Sequence, residues 1–399
     1  MLLLAALSAL LGSFPAHALA AERYAARAGA DWRQDGGDAG RSGHQALTGG
    51  LDVAAARRLR LSWTAPATRP DEQVGGAVVV DGTLLRSSGG PSGQIRRYDA
   101  VTGSDLGLVV DEPGRAFGEL AAAGDTLVVE SIERPGAQRF LGGYRMNGQR
   151  RWEIALADEV SGGYTVGDGL ILRSAGATLS AFRVADGGIA WTAPLGGEPG
   201  FHLPVVVGGL VVQAIGPGRL QAFDGRTGRA AWARDAVGAG LVAAGDTVFA
   251  VGERGVCAYA AAGGAQRWCD ADTLRSPVHA SVSADALFVV DGQGGLAAFD
   301  AATGARRWRT AYGLRAEVDA SYWAPVNGGG VVYAVVYHFA VRGGVSTHRV
   351  ELIAADAATG ALVRRLDLDV DALRGDEPLL LSGGHVYFAA LQRLYAFAA

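Results

Sequence analysis

A chain of 399 residues with 36 Lys and Arg against 40 Asp and Glu, and 49% apolar residues, can bury a large core and shows no basic block that would read nucleic acid. Its 60 glycines against 2 methionines suit many short strands joined by tight turns, since glycine supplies the positive-φ positions that turns require. Length alone suggests two or three ordinary domains, but repeat folds exceed that prior as single units.

The first residues read as a targeting signal rather than as structure. Leu2 to Leu11 is an apolar run too short to span a bilayer, and Ala18-Leu19-Ala20 gives a small-x-small cleavage pattern before Ala21. Leucine rather than a basic residue follows Met1, so either the true start lies upstream or the signal is atypical, and no cysteine stands at the cleavage site to carry a lipid. The expectation is a signal peptide over 1–20 and a mature protein that is secreted or periplasmic. No later apolar run reaches membrane-spanning length, so no transmembrane segment is expected. Residues 21–56 then form an irregular segment. Within it, Asp31 to Gly43 reads DWRQDGGDAGRSG, with a single large anchor, Trp32, expected to pack against the body of the protein.

From residue 57 onward the chain is a train of similar units, beginning with the strand Arg60 to Ala65, which contains Trp63. Leu296 to Trp308, LAAFDAATGARRW, shows the pattern. An alternating apolar run ends in an aromatic, an Asp-to-Gly turn follows, and a short strand carries a tryptophan four residues after the glycine. Tyr98, Tyr144, Phe182, Phe223, Tyr259 and Phe299 close the equivalent strands, and Trp152, Trp191, Trp232, Trp268 and Trp308 occupy the tryptophan position. Gly107 and Arg364 replace the tryptophan in the first and seventh units. The period is about 43 residues, the size of one four-stranded propeller blade. An eighth unit, Leu379 to Phe397, holds three strands and lacks a fourth, which Arg60 to Ala65 can supply. Joining the termini in one blade would close the ring and remove both open sheet edges. The fold class is therefore all-β, an eight-bladed propeller over 57–399 whose last blade is completed by the N-terminal strand.

Blade seven is longer than the rest, with 56 residues between Trp308 and Arg364. The excess lies in 318–330, with Tyr322 and Trp323, and in 337–348, with His338 and His348, the second reading as a long hairpin. Such an extension is either a binding surface on a rigid scaffold or drift in a tolerant loop. Cys257 and Cys269 flank a hairpin turn and fall nearly opposite each other, which allows a cross-strand disulfide or two buried thiols.

Asp99, Asp224, Asp300 and Asp356 recur at one place in their repeats and are read as turn builders that accept backbone N–H groups. The tryptophans are read as inter-blade packing. No G-x-S-x-G, H-E-x-x-H or P-loop is present, the histidines do not pair at metal spacing, and no metal site is expected. Residues that differ from blade to blade at the start of the innermost strands are the better candidates: Glu119, Tyr164, His202, His279, Trp323 and Glu377. Aromatics, imidazoles and acids meeting at a funnel could bind a small ligand or a peptide, or they are ordinary solvated rim residues. Two acids are too few for the six to eight oxygens calcium takes.

The motif aromatic-Asp-x-x-Thr-Gly-x-x-x-Trp, seen as FDGRTGRAAW at Phe223 to Trp232 and FDAATGARRW at Phe299 to Trp308, resembles the pyrroloquinoline-quinone (PQQ)-like propeller repeat. The Trp32 to Gly43 stretch is similar to the segment that often precedes the first blade in that family, so the resemblance covers nearly all of the mature chain. WD40 repeats share the period but carry Gly-His and Trp-Asp signatures that are absent here. The family divides into quinoprotein dehydrogenases, which bind PQQ and calcium, and non-catalytic propellers such as BamB. The chain lacks the adjacent cysteines that many of the former carry, and the lipid-bearing cysteine of BamB. The resemblance favours a non-catalytic scaffold without a cofactor, contacting a protein partner or small ligand at the funnel or at blade seven. The alternative it leaves is a PQQ- and calcium-dependent oxidoreductase of alcohols or sugars, with Glu119 or Glu377 as base.

Overall fold

The computed structural model describes residues 30–66, 74–90, 92–157, 163–199, 202–216, 218–236, 238, 240–252, 254–271, 279–290, 295–342, 345–370, 378–390 and 392–399, apart from 313–323. These form eight four-stranded antiparallel sheets. Within each of the first seven blades the strands follow one another in sequence from the innermost outward. In blade 8 the outermost place is taken by Arg60–Pro66, paired from Arg60↔Ala398 to Pro66↔Arg393. The ring thus closes through its two termini, as the sequence implies.

The core is not a single mass. It is divided into clusters that sit between neighbouring blades, such as the one joining Val205, Val212 and Trp232 of blade 4 to Val248, Ala250 and Cys257 of blade 5. Inter-blade tryptophans pin these seams. The Trp191 indole donates to Gly225 O at 2.8 Å, Trp232 to Ala261 O at 2.7 Å and Trp268 to Ala301 O at 3.0 Å, each in the next blade. Trp63, on the strand that closes blade 8, does the same with Ala100 O of blade 1 at 3.3 Å. The two seams without tryptophan are closed otherwise. Between blades 1 and 2 the Tyr144 hydroxyl donates to Glu112 Oε1 at 2.9 Å, and between blades 7 and 8 Arg364 Nε donates to Leu59 O at 3.0 Å.

The recurrent aspartates are turn builders. Asp224 Oδ1 accepts the Thr227 amide at 2.8 Å and its hydroxyl at 2.6 Å, and Asp300 and Asp356 repeat the arrangement. Cys257 and Cys269 lie directly opposite on neighbouring strands of blade 5, with Cα atoms 4.1 Å apart, and are joined as a disulfide. In blade 7 the second and third strands, Val331–Arg342 and Val345–Asp356, pair over their whole length. The fourth strand reaches only Val350, so the expected long hairpin stands out beyond the blade by residues 337–349. That overhang rises by roughly 20 Å, at about 3.3 Å per residue.

Candidate functional site: a belted axial channel

Residues 30–45, expected to be merely irregular, run round the inside of the ring at one end of the axial channel. They bond to the innermost strand of each blade in turn. Trp32 exchanges two backbone hydrogen bonds with Val79 of blade 1, both 2.8 Å, and Arg33 O accepts from Ala122 N of blade 2 at 2.7 Å. The Gln34 side chain replaces the backbone at blade 3, donating to Val166 O and accepting from Val166 N, both at 2.8 Å. Ala39, Gly40, Ser42 and Gly43 carbonyls then accept from Val206, Ala243, Val282 and Asn327 of blades 4 to 7, at 2.7–2.8 Å. At blade 8, Ser382 Oγ donates to Ala30 O at 2.6 Å and Gln45 Nε2 to Leu381 O at 3.3 Å. Gln45 also reaches back to Asp31 O at 3.1 Å, joining the belt's end to its beginning.

The belt's glycines follow from this close approach. A Cβ on Gly40 would lie 2.5 Å from Ala243 O, and one on Gly43 would lie 2.7 Å from Ser281 Cβ. Trp32 is 1% exposed, as its role of anchor requires. Asp38 ties the turn by accepting the Ser42 amide and hydroxyl at 3.0 and 2.6 Å. Within the loop of the belt, Arg41 and Asp35 form an ion pair, with the Asp35 side chain 44% exposed.

In every blade the belt contact falls two residues before the turn that follows the innermost strand, so the starts of those strands mark the opposite end of the channel. Three residues from the belt contact, about 10 Å towards that opposite end, only two blades carry a titratable side chain. They are Glu119 in blade 2 and His279 in blade 6, halfway round the ring from each other. The other positions at that level are Gly76, Gly163, Leu203, Gly240, Ala324 and Pro378.

Glu119 is held in a fitted niche between blades 2 and 3. Its Oε2 accepts the Tyr164 amide at 3.2 Å, and the Tyr164 hydroxyl donates to Glu119 O at 3.1 Å and Val128 O at 2.7 Å. A Cβ on Gly163 would lie 2.6 Å from Oε2, so glycine there makes room for the carboxyl. Oε1 is buried with no hydrogen-bond partner. Burial pushes the Glu119 pKa up to about 8, the Arg41 guanidinium opposing and Asp35 and Glu130 adding to the rise. His279 is open to water by its accessible surface, yet the surrounding protein lowers its pKa. Asp35 raises and Arg41 lowers that imidazole, so both wall residues sense the ion pair of the belt.

The candidates named from sequence divide accordingly. Glu119 and His279 share a level across the channel. Tyr164 is 1% exposed and supports Glu119 rather than facing solvent. His202 has an exposed side chain whose pKa burial lowers, and its carbonyl accepts Gln213 Nε2 at 2.8 Å. Trp323 and Glu377 lie outside the described residues.

The second strands carry a feature that sequence reading missed. In the second strands of blades 1 to 4, Arg86, Glu130, Arg173 and Gln213 are 1%, 3%, 3% and 0% exposed. In blades 5 to 8 both corresponding positions of the second strand are apolar: Ala250 and Val251, Val289 and Val290, Ala334 and Val335, Phe388 and Ala389. Glu130 Oε1 bridges Arg139 at 3.0 Å and Arg173 of the next blade at 3.6 Å, and Ser174 Oγ donates to Gln213 Oε1 at 2.6 Å. Blades 1 to 3 therefore carry buried charge behind the innermost strand, and blade 4 a buried amide. A construction element would recur in all eight blades, and comparing the second strands of the repeats would have revealed the difference.

A quinone cofactor with calcium would require six to eight oxygen ligands about the metal. Glu119 offers a carboxyl that keeps its proton at neutral pH and has one oxygen on the Tyr164 amide, while Asp35 is taken by Arg41. Among the described residues no three His, Cys, Asp or Glu gather to hold a metal ion. The donor set among the described residues does not fit calcium.

Ring, blade repeat and belt together define a PQQ-like propeller. The sequence profile of the family described as outer membrane protein assembly factor BamB matches at residues 141–268, 217–320 and 253–344, which together cover half of the chain, and the chain belongs to that PQQ-like family. No curated protein sequence matches significantly. Among solved structures, the chain is similar to BamB from Moraxella catarrhalis, at 15% identity and TM-score 0.63 over 86% of this chain and 100% of that one. It is similar to the quinohemoprotein alcohol dehydrogenase ADHIIG from Pseudomonas putida HK5, at 12% identity and TM-score 0.69 over 95% of this chain and 81% of that one. The C-terminal WD40 domain of Sif2 is also similar, at 11% identity and TM-score 0.65 over 86% of this chain and 98% of that one. At such identities the likeness is one of fold, and function has to be argued from the site.

Proposed function

We propose that the protein is an extracytoplasmic binding and assembly scaffold that offers its channel mouth and its blade-seven hairpin to a protein partner, without catalysing a reaction. The belt carries this reading. It lines one end of the channel with the chain's own polypeptide and ties all eight blades into one rigid ring, which suits a scaffold. The family's description as an assembly factor supports it. A disulfide and an apolar N-terminal run support the compartment. No helix among the described residues is long and apolar enough to cross a membrane.

The oxidoreductase alternative rests on one observation, the raised pKa of Glu119, which would suit a general base. Adding PQQ and Ca²⁺ to purified protein separates the two readings, with the quinone absorbance and dye-linked alcohol or sugar oxidation as readouts. No binding at tens of micromolar is expected. Stoichiometric binding with turnover would overturn the scaffold.

A further inference from the structure

We propose that the Cys257–Cys269 bridge of blade 5 is a site of reversible thiol–disulfide exchange, opened by a dithiol reductant that attacks Cys269 and closed again without unfolding of the ring. The proposal does not depend on the scaffold reading.

The direction of the bridge is the first argument. Cys257 lies on the third strand of the blade, Gly255–Ala260, and Cys269 on the outermost, Gln266–Asp270. Behind Cys257, on the second strand, stands Ala250. From Cys257 to Cys269 the bridge therefore runs outward across the sheet. A thiolate approaches a disulfide sulfur in line with the bond it breaks. That line reaches Cys269 from beyond the blade's edge, whereas the line to Cys257 passes through Ala250.

Burial points the same way. Cys269 is exposed, while Cys257 is 0% exposed and packs with Trp232, Val248 and Ala250 in the seam to blade 4. Access decides which sulfur is taken. The incoming thiolate bonds to Cys269 Sγ, the bridge breaks, and Cys257 Sγ leaves with the electron pair and takes up a proton. The second thiol of the reductant then attacks the reductant's own sulfur and releases Cys269 as a thiolate. The protein gains two electrons, and the dithiol becomes a disulfide.

The strand that carries Cys269 is held by more than the bridge. Trp268 Nε1 donates to Ala301 O of blade 6 at 3.0 Å, and Arg267 Nη1 donates to Asp246 Oδ1 at 2.9 Å and to Thr247 Oγ1 at 2.7 Å. Val256↔Asp270 and Ala258↔Trp268 pair on either side of the cysteines, whose Cα atoms are 4.1 Å apart. The two thiols thus stay face to face, ready for an oxidant to join them again.

The test uses the full oxidised chain. After incubation with glutathione, acid quenching, N-ethylmaleimide capture in denaturant and peptide mapping should place the mixed disulfide on Cys269 and the maleimide on Cys257. With dithiothreitol, the opening rate should rise in proportion to reductant and ignore urea well below the unfolding midpoint. Glutathione disulfide should then restore the bridge and the original melting curve. In Cys257→Ser, the remaining thiol should react with an aromatic disulfide nearly as fast in the folded chain as in guanidinium. In Cys269→Ser, the folded chain should react roughly a hundredfold more slowly than the unfolded one, the factor that a local opening of about 2.8 kcal/mol imposes. Glutathione on Cys257, an opening rate independent of dithiothreitol, free thiols before reduction, or loss of amide protection over Gln266–Asp270 in the reduced chain would each overturn the proposal. Quinone turnover would remove the scaffold reading and leave this one standing.

Discussion

The Trp191 indole of blade 3 is seated on Gly228 of blade 4. A Cβ at Gly228 would lie 2.6 Å from the ring, and the glycine has φ +71°. Alanine there adds a left-handed penalty of about 1–2 kcal/mol to an overpacking cost of about 1–3 kcal/mol. Gly228→Ala should lower the urea midpoint accordingly. Gly263→Ala, where nothing lies within 4 Å, should leave it unchanged. Equal midpoints for the two variants would contradict the seating role.

Gln34 satisfies both polar groups of Val166 and is 5% exposed. Gln34→Ala leaves a buried N–H and a buried C=O unpaired, each costing about 1–3 kcal/mol. Faster amide exchange at Val166 and a lower midpoint are expected. Exchange at wild-type rates would show that the belt does not depend on this contact.

Glu119 gives stability a pH dependence whose sign is fixed. Its folded pKa of about 8 lies above the ordinary 4.5, so between those values the unfolded chain gives up the proton while the folded chain keeps it. Stability therefore falls as pH rises through this window, by up to about 1.4 kcal/mol per unit. Urea titrations at pH 5, 6.5 and 8 should show the Glu119→Gln variant gaining on wild type at each step. Parallel curves would mean that Glu119 titrates normally.

Closing a loop of twelve residues between Cys257 and Cys269 should add about 3 kcal/mol. The double variant Cys257→Ala/Cys269→Ala should unfold at lower denaturant. Oxidised protein unfolded in guanidinium should show no free thiol, and two reactive thiols per chain would refute the bridge.

Much of the ring was legible because repetition reports on itself. Trp191, Trp232 and Trp268 share an offset from a turn glycine, and a residue that recurs at every blade must serve the blade. The belt was not legible, since its contacts are mostly backbone to backbone along a segment with no period. Only its glycines hinted that it runs close to something. Tyr164 looked like a rim aromatic because it begins an innermost strand, but the side chain turns inward to the Glu119 and Val128 carbonyls. The buried polar side chains of blades 1 to 4 sat in plain sight at Arg86, Glu130, Arg173 and Gln213, obscured because composition averages over blades.

The belt has a bearing on how the chain is made. Its residues leave the ribosome before any blade, yet the Leu381 carbonyl that accepts from Gln45 comes 336 residues later, and the Ser382 hydroxyl that donates to Ala30 O comes 352 residues later. The strand that follows the belt likewise waits for Arg393–Ala398. Contacts this distant in sequence form slowly. The nascent ring therefore stays open, like a coil with a loose end, until blade 8 has been made. The belt, made before every blade, is thus among the last parts of the ring to find its place.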